Sequence, residues 1–206
     1  MIPANHNRFT QWLFNKYLKF ILKSDFKHIE VEGQWPVSDA GALVVGNHIG
    51  WWDGFWVLYL KNRLCPTKKL HVMMLEVQLK PRPFLGHLGA FSIRPGSRSA
   101  LESLKYAADR LGEPNNWVVI YPQGKLAAMT ADILPFQPGI EVVLRRANVR
   151  NVLFYAAFVD YFSDRKPSLF FYLKQEKLES QSVAELETKY RQFYETSRLN
   201  HSYKAK

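Results

Sequence analysis

The chain has 206 residues, of which 47% are hydrophobic and 15% aromatic, so it can bury the core of one domain, and an unstructured chain is excluded. Its 28 lysines and arginines against 18 acidic residues give a net charge of +10, which favours nucleic acid, an anionic membrane surface or a phosphorylated small substrate. Cys65 is the single cysteine, which excludes an internal disulfide and suits a reducing compartment. No apolar run approaches the roughly 20 residues that span a bilayer, and the first residues lack the order of a signal peptide.

The first predicted element is an amphipathic helix over residues 8–24. One side of this helix is apolar and carries Leu13, Phe14, Tyr17, Leu18, Phe20 and Ile21. The other side is basic and carries Arg8, Lys16, Lys19 and Lys23, with Trp12 among them. Such a helix is typical of a membrane interface, although an ordinary helix packed on the domain fits the pattern equally well. We predict a membrane-associating helix over residues 1–24 and an α/β domain over residues 25–206.

Strands and helices alternate along the rest of the chain. Hydrophobic patterns predict strands near residues 29–31, 42–45, 70–75, 90–93, 117–121, 151–159 and 168–173. Helices are predicted over residues 52–60, 99–111, 141–147 and 183–198, and a proline- and glycine-punctuated loop over 79–89. This alternation predicts a single three-layer α/β domain with a mixed, largely parallel sheet flanked by helices.

The stretch "GNHIGWWD" places His48 and Asp53 five residues apart, where a buried strand gives way to a helix. Five residues turn a regular helix by about 140°, so the two side chains meet only if residues 46–50 form a turn. Asp53 would then accept a hydrogen bond from Nδ1 of His48 and leave Nε2 free as a base. Without a nucleophile of its own, such a pair suits a substrate that brings one, such as a hydroxyl attacking a thioester. Taken alone, the pair also fits a structural histidine.

Four blocks in order along residues 40–160 resemble the glycerophospholipid acyltransferases, the lysophosphatidic acid acyltransferase-like superfamily. The first block is "NHIGWWD", which resembles the Asn-His-x4-Asp signature of that superfamily. The second is "PFLGHLGAFSIRPGSRSALESL", and the third is "VVIYPQGK", where the superfamily has Phe-Pro-Glu-Gly-Thr-Arg. The fourth is "FQPGIEVVLRRANVRNVLFYAAFV". Four blocks in the right order are far more specific than any single motif.

The resemblance implies roles for residues of the first three blocks. His48 would be the general base on the acceptor, and Asp53 would orient it. Arg94, assisted by Arg98, would bind the phosphate or another anionic head group of the acceptor, since a guanidinium suits such a group. Without the resemblance, a solvated surface arginine explains Arg94 equally well. Gly124 would form a tight turn that brings backbone close to the substrate.

Two further sets of residues concern the substrates: the candidates for binding the acyl donor, and the positions that depart from the superfamily pattern. Lys80 and Arg82 would hold the phosphates of the acyl donor, although an exposed loop with incidental charges explains them better without the resemblance. Gln123 replaces the third-block glutamate and keeps hydrogen bonding without the charge. Lys125 and Leu126 replace Thr-Arg, so a point charge stands in for a guanidinium. The acceptor is therefore left open among lysophosphatidic acid and other hydroxyl-, sugar- or amine-bearing lipids.

The resemblance thus implies an acyltransferase similar to the 1-acylglycerol-3-phosphate O-acyltransferases. It would move a fatty acyl group from acyl-CoA or acyl carrier protein to a lysophospholipid-like acceptor at the cytoplasmic face of a membrane. Backbone amides near Gly124 or after Gly46 are candidates to stabilise the oxyanion. No metal or other cofactor and no nucleic-acid partner are expected. The alternatives are a non-catalytic membrane or nucleic-acid binding protein that retains the fold, and a hydrolase that uses the same base on water.

Overall fold

The computed structural model describes residues 1–35, 39–132 and 135–204. Over these ranges seven strands form one sheet: β1 (Ile29–Gly33), β2 (Ala42–Gly46), β3 (Lys69–Leu75), β4 (Ala90–Ile93), β5 (Asn116–Ile120), β6 (Asn151–Asp160) and β7 (Ser168–Lys177). In space the strands follow the order β1-β7-β6-β2-β5-β3-β4. Neighbouring strands are parallel except for the antiparallel pair β6 and β7. The predicted mixed, largely parallel sheet is confirmed.

Helices cover both faces of this sheet. They are α1 (Arg8–Asp25), α2 (Asp53–Leu64), α3 (Glu76–Leu79), α4 (Phe84–His87), α5 (Ser99–Leu111), α6 (Ile140–Arg146) and α7 (Val183–Ser202). Strand residues alternate between the two cores, because successive side chains of a strand point to opposite faces. In β2, Val44 packs into the core beneath α1 and α2, whereas Leu43 and Val45 pack into the core beneath α5, α6 and α7. The predicted three layers are therefore confirmed.

The predicted single apolar face of α1 is divided between the core and solvent. Leu18 and Leu22 are buried, and the ring of Phe14 packs against that of Phe55 at 5.1 Å between centroids. Another group of large side chains is exposed: Phe9, Trp12, Leu13, Tyr17 and Phe20. Apolar residues occupy more than half of the circumference of α1, and α2 and α4 cover only one sector of it. Among the described residues, no helix is long and apolar enough to cross a bilayer.

The predicted loop over residues 79–89 differs from the structure. The segment that follows β3 contains two single-turn helices, α3 and α4. A single turn is too short to produce a hydrophobic period, so the pattern of prolines and glycines dominated the prediction. The two short helices place Leu79 and Leu85 in a small third core against α1.

Strand direction decides which loops meet. β2, β3, β4 and β5 are parallel, so the segments that follow them emerge at one edge of the sheet. Because β7 runs antiparallel to β6, and β1 runs parallel to β7, β1 and β7 begin at that same edge. Ligand sites of open α/β sheets lie at the carboxyl ends of the parallel strands, so this edge is where a site is expected.

Candidate active site

The corner between β2 and α2 is organised around one carboxylate oxygen. Nδ1 of His48 donates to Oδ2 of Asp53 at 2.7 Å. The backbone N–H groups of Ile49 and Gly50 donate to the same oxygen at 2.8 and 3.0 Å. Asp53 lies in the first turn of α2, and its side chain is 1% exposed. The structure therefore places the His-Asp pair in the arrangement that the five-residue spacing predicted.

The imidazole of His48 packs against another ring on one face, and its Nε2 atom is accessible. The ring stacks on that of Tyr121, with 4.3 Å between centroids and 15° between planes. The N–H of Ala127 donates to the carbonyl oxygen of His48 at 2.9 Å, so the segment after β5 also fixes the backbone. The side chain of His48 is 26% exposed, and within the described ranges Nε2 has no hydrogen-bond partner. An oriented imidazole with a free, accessible nitrogen is suited to take a proton.

Two tyrosines behind the imidazole were not singled out from the sequence. The hydroxyl of Tyr155 in β6 donates to the hydroxyl of Tyr121 at 2.8 Å. Burial raises the pKa of both phenols well above its usual value, and the charge of Asp53 adds to the effect. Both phenols therefore stay protonated at neutral pH. Gly46 makes room for this pair, because a Cβ there would lie 2.1 Å from Cε1 of Tyr155.

A buried amide fastens the same corner to the next strand. Nδ2 of Asn47 donates to the carbonyl oxygen of Ala157 in β6 at 2.8 Å, and Oδ1 of Asn47 accepts from the N–H of Ala157 at 2.9 Å. The side chain thus continues the β2–β6 ladder by one step after the strand has ended. The asparagine of the first block therefore has a structural role: it fixes the backbone directly before His48 against β6.

The ends of β3 and β4 bring a carboxylate and two cations together. Nη2 of Arg94, directly after β4, contacts Oε1 of Glu76 at 2.5 Å, and Nζ of Lys80 lies 3.2 Å from the same oxygen. The hydrogen bond from Arg94 lowers the pKa of Glu76, and the one from Lys80 acts in the same direction. Arg94 is therefore fixed by a carboxylate. Glu76 was missed because the sequence does not show that β3 and β4 are neighbours.

The third block contributes a buried amide and a tight turn. Gln123 is buried, and its Oε1 has no hydrogen-bond partner within the described ranges. Gly124 has φ of +71°, a conformation that favours glycine, and its N–H donates to the carbonyl oxygen of Tyr121 at 3.0 Å. Lys125 is exposed. The N–H of Gly124 thus donates within the turn, and the N–H groups of Ile49 and Gly50 donate to Asp53, so these three amides already have acceptors in this structure.

The remaining predicted residues lie at the surface. The guanidinium of Arg82 lies over the ring of Trp51, 4.9 Å from its centroid, and one N–H donates to the carbonyl oxygen of Gln78 at 3.3 Å. This contact connects the predicted donor-binding loop to the corner that holds His48. Arg98 is exposed, and it forms no ion pair within the described part of the chain.

The first three blocks meet at one edge of the sheet. The corner with His48 follows β2, the turn at Gly124 follows β5, Glu76 follows β3, and Arg94 follows β4. These four strands are consecutive neighbours in the sheet. The edge therefore combines an open base near its middle with a cation cluster at its β4 end, which is an arrangement suited to deprotonating one group of a substrate while binding an anionic group elsewhere on it.

Comparison with known proteins identifies the family. The acyltransferase family model matches residues 28–156, so this chain belongs to the acyltransferase family, and its resemblance to the glycerophospholipid acyltransferases is confirmed. The chain is also similar in fold to the crystal structure of the 1-acyl-sn-glycerophosphate (LPA) acyltransferase PlsC from Thermotoga maritima. That comparison has a TM-score of 0.62 and 17% identity, and covers 95% of this chain and 80% of that chain. The comparison with curated proteins gives no match.

Proposed function

We propose that this acyltransferase moves a fatty acyl group from a thioester, acyl-CoA or acyl carrier protein, to a hydroxyl or amine of a lysophospholipid-like acceptor. One observation carries the proposal: His48 has a carboxylate on Nδ1 and a free, accessible Nε2 at the edge where the blocks of the family meet. A base so arranged removes a proton from an incoming nucleophile.

In the proposed mechanism the acceptor supplies the nucleophile. Nε2 of His48 takes the proton of the acceptor hydroxyl while the oxygen attacks the thioester carbonyl carbon. Asp53 stabilises the imidazolium that forms, and the tetrahedral intermediate then collapses. The C–S bond breaks, and the leaving thiolate takes the proton back from His48. No acyl-enzyme forms, since both substrates are bound together.

The cations at the β4 end of the edge are proposed to bind the phosphates of the substrates. Arg94 has five N–H donors, and Glu76 uses only part of them, so the guanidinium keeps donors for an anionic head group while the carboxylate holds its orientation. Arg98, Gln123 and Lys125 are proposed to assist on the acceptor side, together with the turn at Gly124.

The donor is proposed to lie along the segment after β3. Lys80 contacts the same carboxylate of Glu76 as Arg94 does. Arg82 lies against Trp51, beside the corner that holds His48. Cations at these two positions are suited to the phosphates of acyl-CoA or of the prosthetic arm of an acyl carrier protein.

The exposed side of α1 is proposed to attach the enzyme to the cytoplasmic face of a membrane. Phe9 and Phe20 are each 70% exposed and lie on one side of the helix with Leu13. Lys16 and Lys19 flank them, and Lys16 lies 4.0 Å from the ring centroid of Trp12. Exposed aromatic residues beside lysines are typical of helices that lie in the interface of an anionic membrane.

The test is thiol release from acyl-CoA and from acyl carrier protein, measured with and without a panel of lysophospholipids, with product masses read by mass spectrometry. We expect thiol release only when an acceptor is present, and a product that carries one added acyl group. Thiol release without an acceptor would identify a hydrolase. No release, together with tight and salt-sensitive nucleic-acid binding, would favour a non-catalytic protein that retains the fold.

A further inference from the structure

A cavity of about 450 Å³ lies at the carboxyl-terminal end of α1, between α1, α2 and the loop that joins β6 to β7. Its floor is largely apolar and includes Phe26 and Tyr59. Four lysines from two separate segments of the chain line it: Lys19, Lys23, Lys27 and Lys166. A cavity of this volume falls within the range of about 300–1,000 Å³ that is usual for small-molecule sites.

The charge of this cavity is largely unneutralised. Lys27 contacts Asp164 at 2.5 Å. Lys19, Lys23 and Lys166 have no carboxylate within salt-bridge distance among the described residues. Surface cations elsewhere, as at the amino- and carboxyl-terminal parts of α7, are commonly paired with carboxylates. Three ammonium groups around an apolar floor are complementary to an anion that is attached to an apolar group.

The cavity adjoins the exposed aromatic side of α1. Lys19 is next to Phe20, and Lys23 lies one turn beyond Lys19 on the same helix. A membrane in contact with Phe20 and Tyr17 would therefore bring lipid head groups level with the lysines. A phosphate would meet the ammonium groups, and the glycerol and the first carbons of the chains would meet Phe26.

We propose that this cavity binds the phosphodiester head group of an anionic membrane lipid. The proposal rests on the membrane attachment of α1 proposed above and adds a defined lipid site to it. β1 begins at Ile29, directly beside the cavity and at the same edge of the sheet as the corner that holds His48. A lipid bound here therefore anchors that edge against the membrane, where the acceptor is dissolved.

The experiment measures binding of short-chain phosphatidylglycerol below its micelle concentration, by isothermal titration calorimetry without an acyl donor. A monomeric lipid has no charged surface, so general attraction to a membrane is absent. We expect saturable one-to-one binding by the unaltered protein. The double variant Lys23→Gln/Lys166→Gln should bind about 30-fold more weakly, because it removes two charge-assisted contacts to the phosphate.

Two control variants make the result specific. Arg8→Gln/Lys16→Gln removes the same charge from the same surface outside the cavity and should leave binding within about twofold. Lys23→Arg/Lys166→Arg keeps the charge and should restore most of the affinity. Equal weakening in the Arg8/Lys16 variant, an unaffected Lys23/Lys166 variant, absence of saturable binding, or equally tight binding of inorganic phosphate would each overturn the proposal. Since no acyl transfer is measured, failure of the proposed enzyme activity would leave this result unchanged.

Discussion

Two histidine–aspartate pairs in this molecule look alike and are built for different tasks. His48 contacts Asp53 at 2.7 Å, and His201 contacts Asp160 at 2.6 Å. Each imidazole also stacks on an aromatic ring, with 4.3 and 4.9 Å between centroids. In the first pair the histidine is 26% exposed and the aspartate 1%, whereas in the second the histidine is 8% exposed and the aspartate 49%. The exposure of the two partners is thus inverted.

The inversion decides which pair can act as a base. Asp53 binds Nδ1 of His48 and leaves Nε2 free at the surface. In the second pair Asp160 binds Nε2, and Nδ1 of His201 faces the hydroxyl of Tyr172 at 3.4 Å inside the core. Both nitrogens of His201 are thus occupied. A hydrogen-bonded histidine–aspartate pair is a candidate for general-base catalysis when the histidine, and not the aspartate, is accessible to solvent.

The largest expected effect separates the two histidines. His48→Ala should lower kcat by about 100- to 10,000-fold, because it removes the proposed general base. His201→Ala should leave kcat nearly unchanged and lower the free energy of unfolding by about 1–3 kcal/mol, because it empties a buried ring position and leaves Tyr172 without a partner. Steady-state kinetics and urea unfolding measure both quantities. Equal loss of activity in the two variants would contradict the distinction.

The aspartates should differ in the same direction. Asp53→Asn should lower kcat about 100-fold or more, because the amide no longer holds Nδ1–H of His48 or stabilises an imidazolium. Asp160→Asn should change kcat little, because its carboxylate contacts His201, a buried ring outside the corner that holds His48. A pH–rate profile of each variant checks the assignment. We expect the acidic limb of the pH–rate profile, which reports deprotonation of the proposed base, to be lost in the Asp53 variant alone. An unaltered limb in that variant would show that Asp53 has no part in the mechanism.

A third histidine extends the comparison to a ring that is simply buried. Burial lowers the pKa of His71 to about 4, and neighbouring cations and His6 act in the same direction. Between pH 6.5 and 4 the unfolded chain therefore binds a proton that the folded chain does not. Stability present above pH 6.5 is lost as the pH falls toward 4, by about 3 kcal/mol. Urea unfolding at pH 7 and 4.5 measures this loss in the free energy of unfolding. The variant His71→Leu should lose less stability between the two pH values. An equal loss in the variant would assign the acid sensitivity to other groups.

The smallest expected effect concerns the ring beneath His48. Tyr121→Phe keeps the stacking surface and removes the hydroxyl that accepts from Tyr155. The buried hydroxyl of Tyr155 then lacks its acceptor, so the free energy of unfolding should fall by about 1–2 kcal/mol. Activity should change by less than about fivefold, equivalent to about 1 kcal/mol in the barrier. Tyr121→Ala is the matched comparison, because it also removes the stack. If both variants were equally active, the ring would have no part in orienting His48.

Local patterns predicted most of the fold. The predicted helix over residues 99–111 agrees with α5 in both ends, because its apolar residues recur at helical spacing and its neighbours are polar. β2 was predicted from four consecutive apolar residues, and the corner after it from glycines on either side of His48. These features depend on neighbours within a few residues, and the sequence contains them directly.

Features that depend on distant neighbours were not predictable. The contact of Glu76 with Arg94 arises because β3 and β4 lie side by side, and the stack of His48 on Tyr121 arises because β2 and β5 do. The division of α1 between the core and solvent has the same origin, since the sequence does not reveal which sector of the helix α2 covers. The pair of His48 and Asp53 was accessible because both residues belong to one turn.

The absence of a side chain at position 46 has a practical consequence. Any Cβ there would overlap the ring of Tyr155, whose hydroxyl supports the ring on which His48 rests. A directed-evolution library that randomises position 46 alone should return glycine, whereas one that also shrinks residue 155 should accept alanine. Re-engineering of this enzyme for new acyl acceptors therefore has to keep glycine at position 46 for as long as residue 155 is a tyrosine.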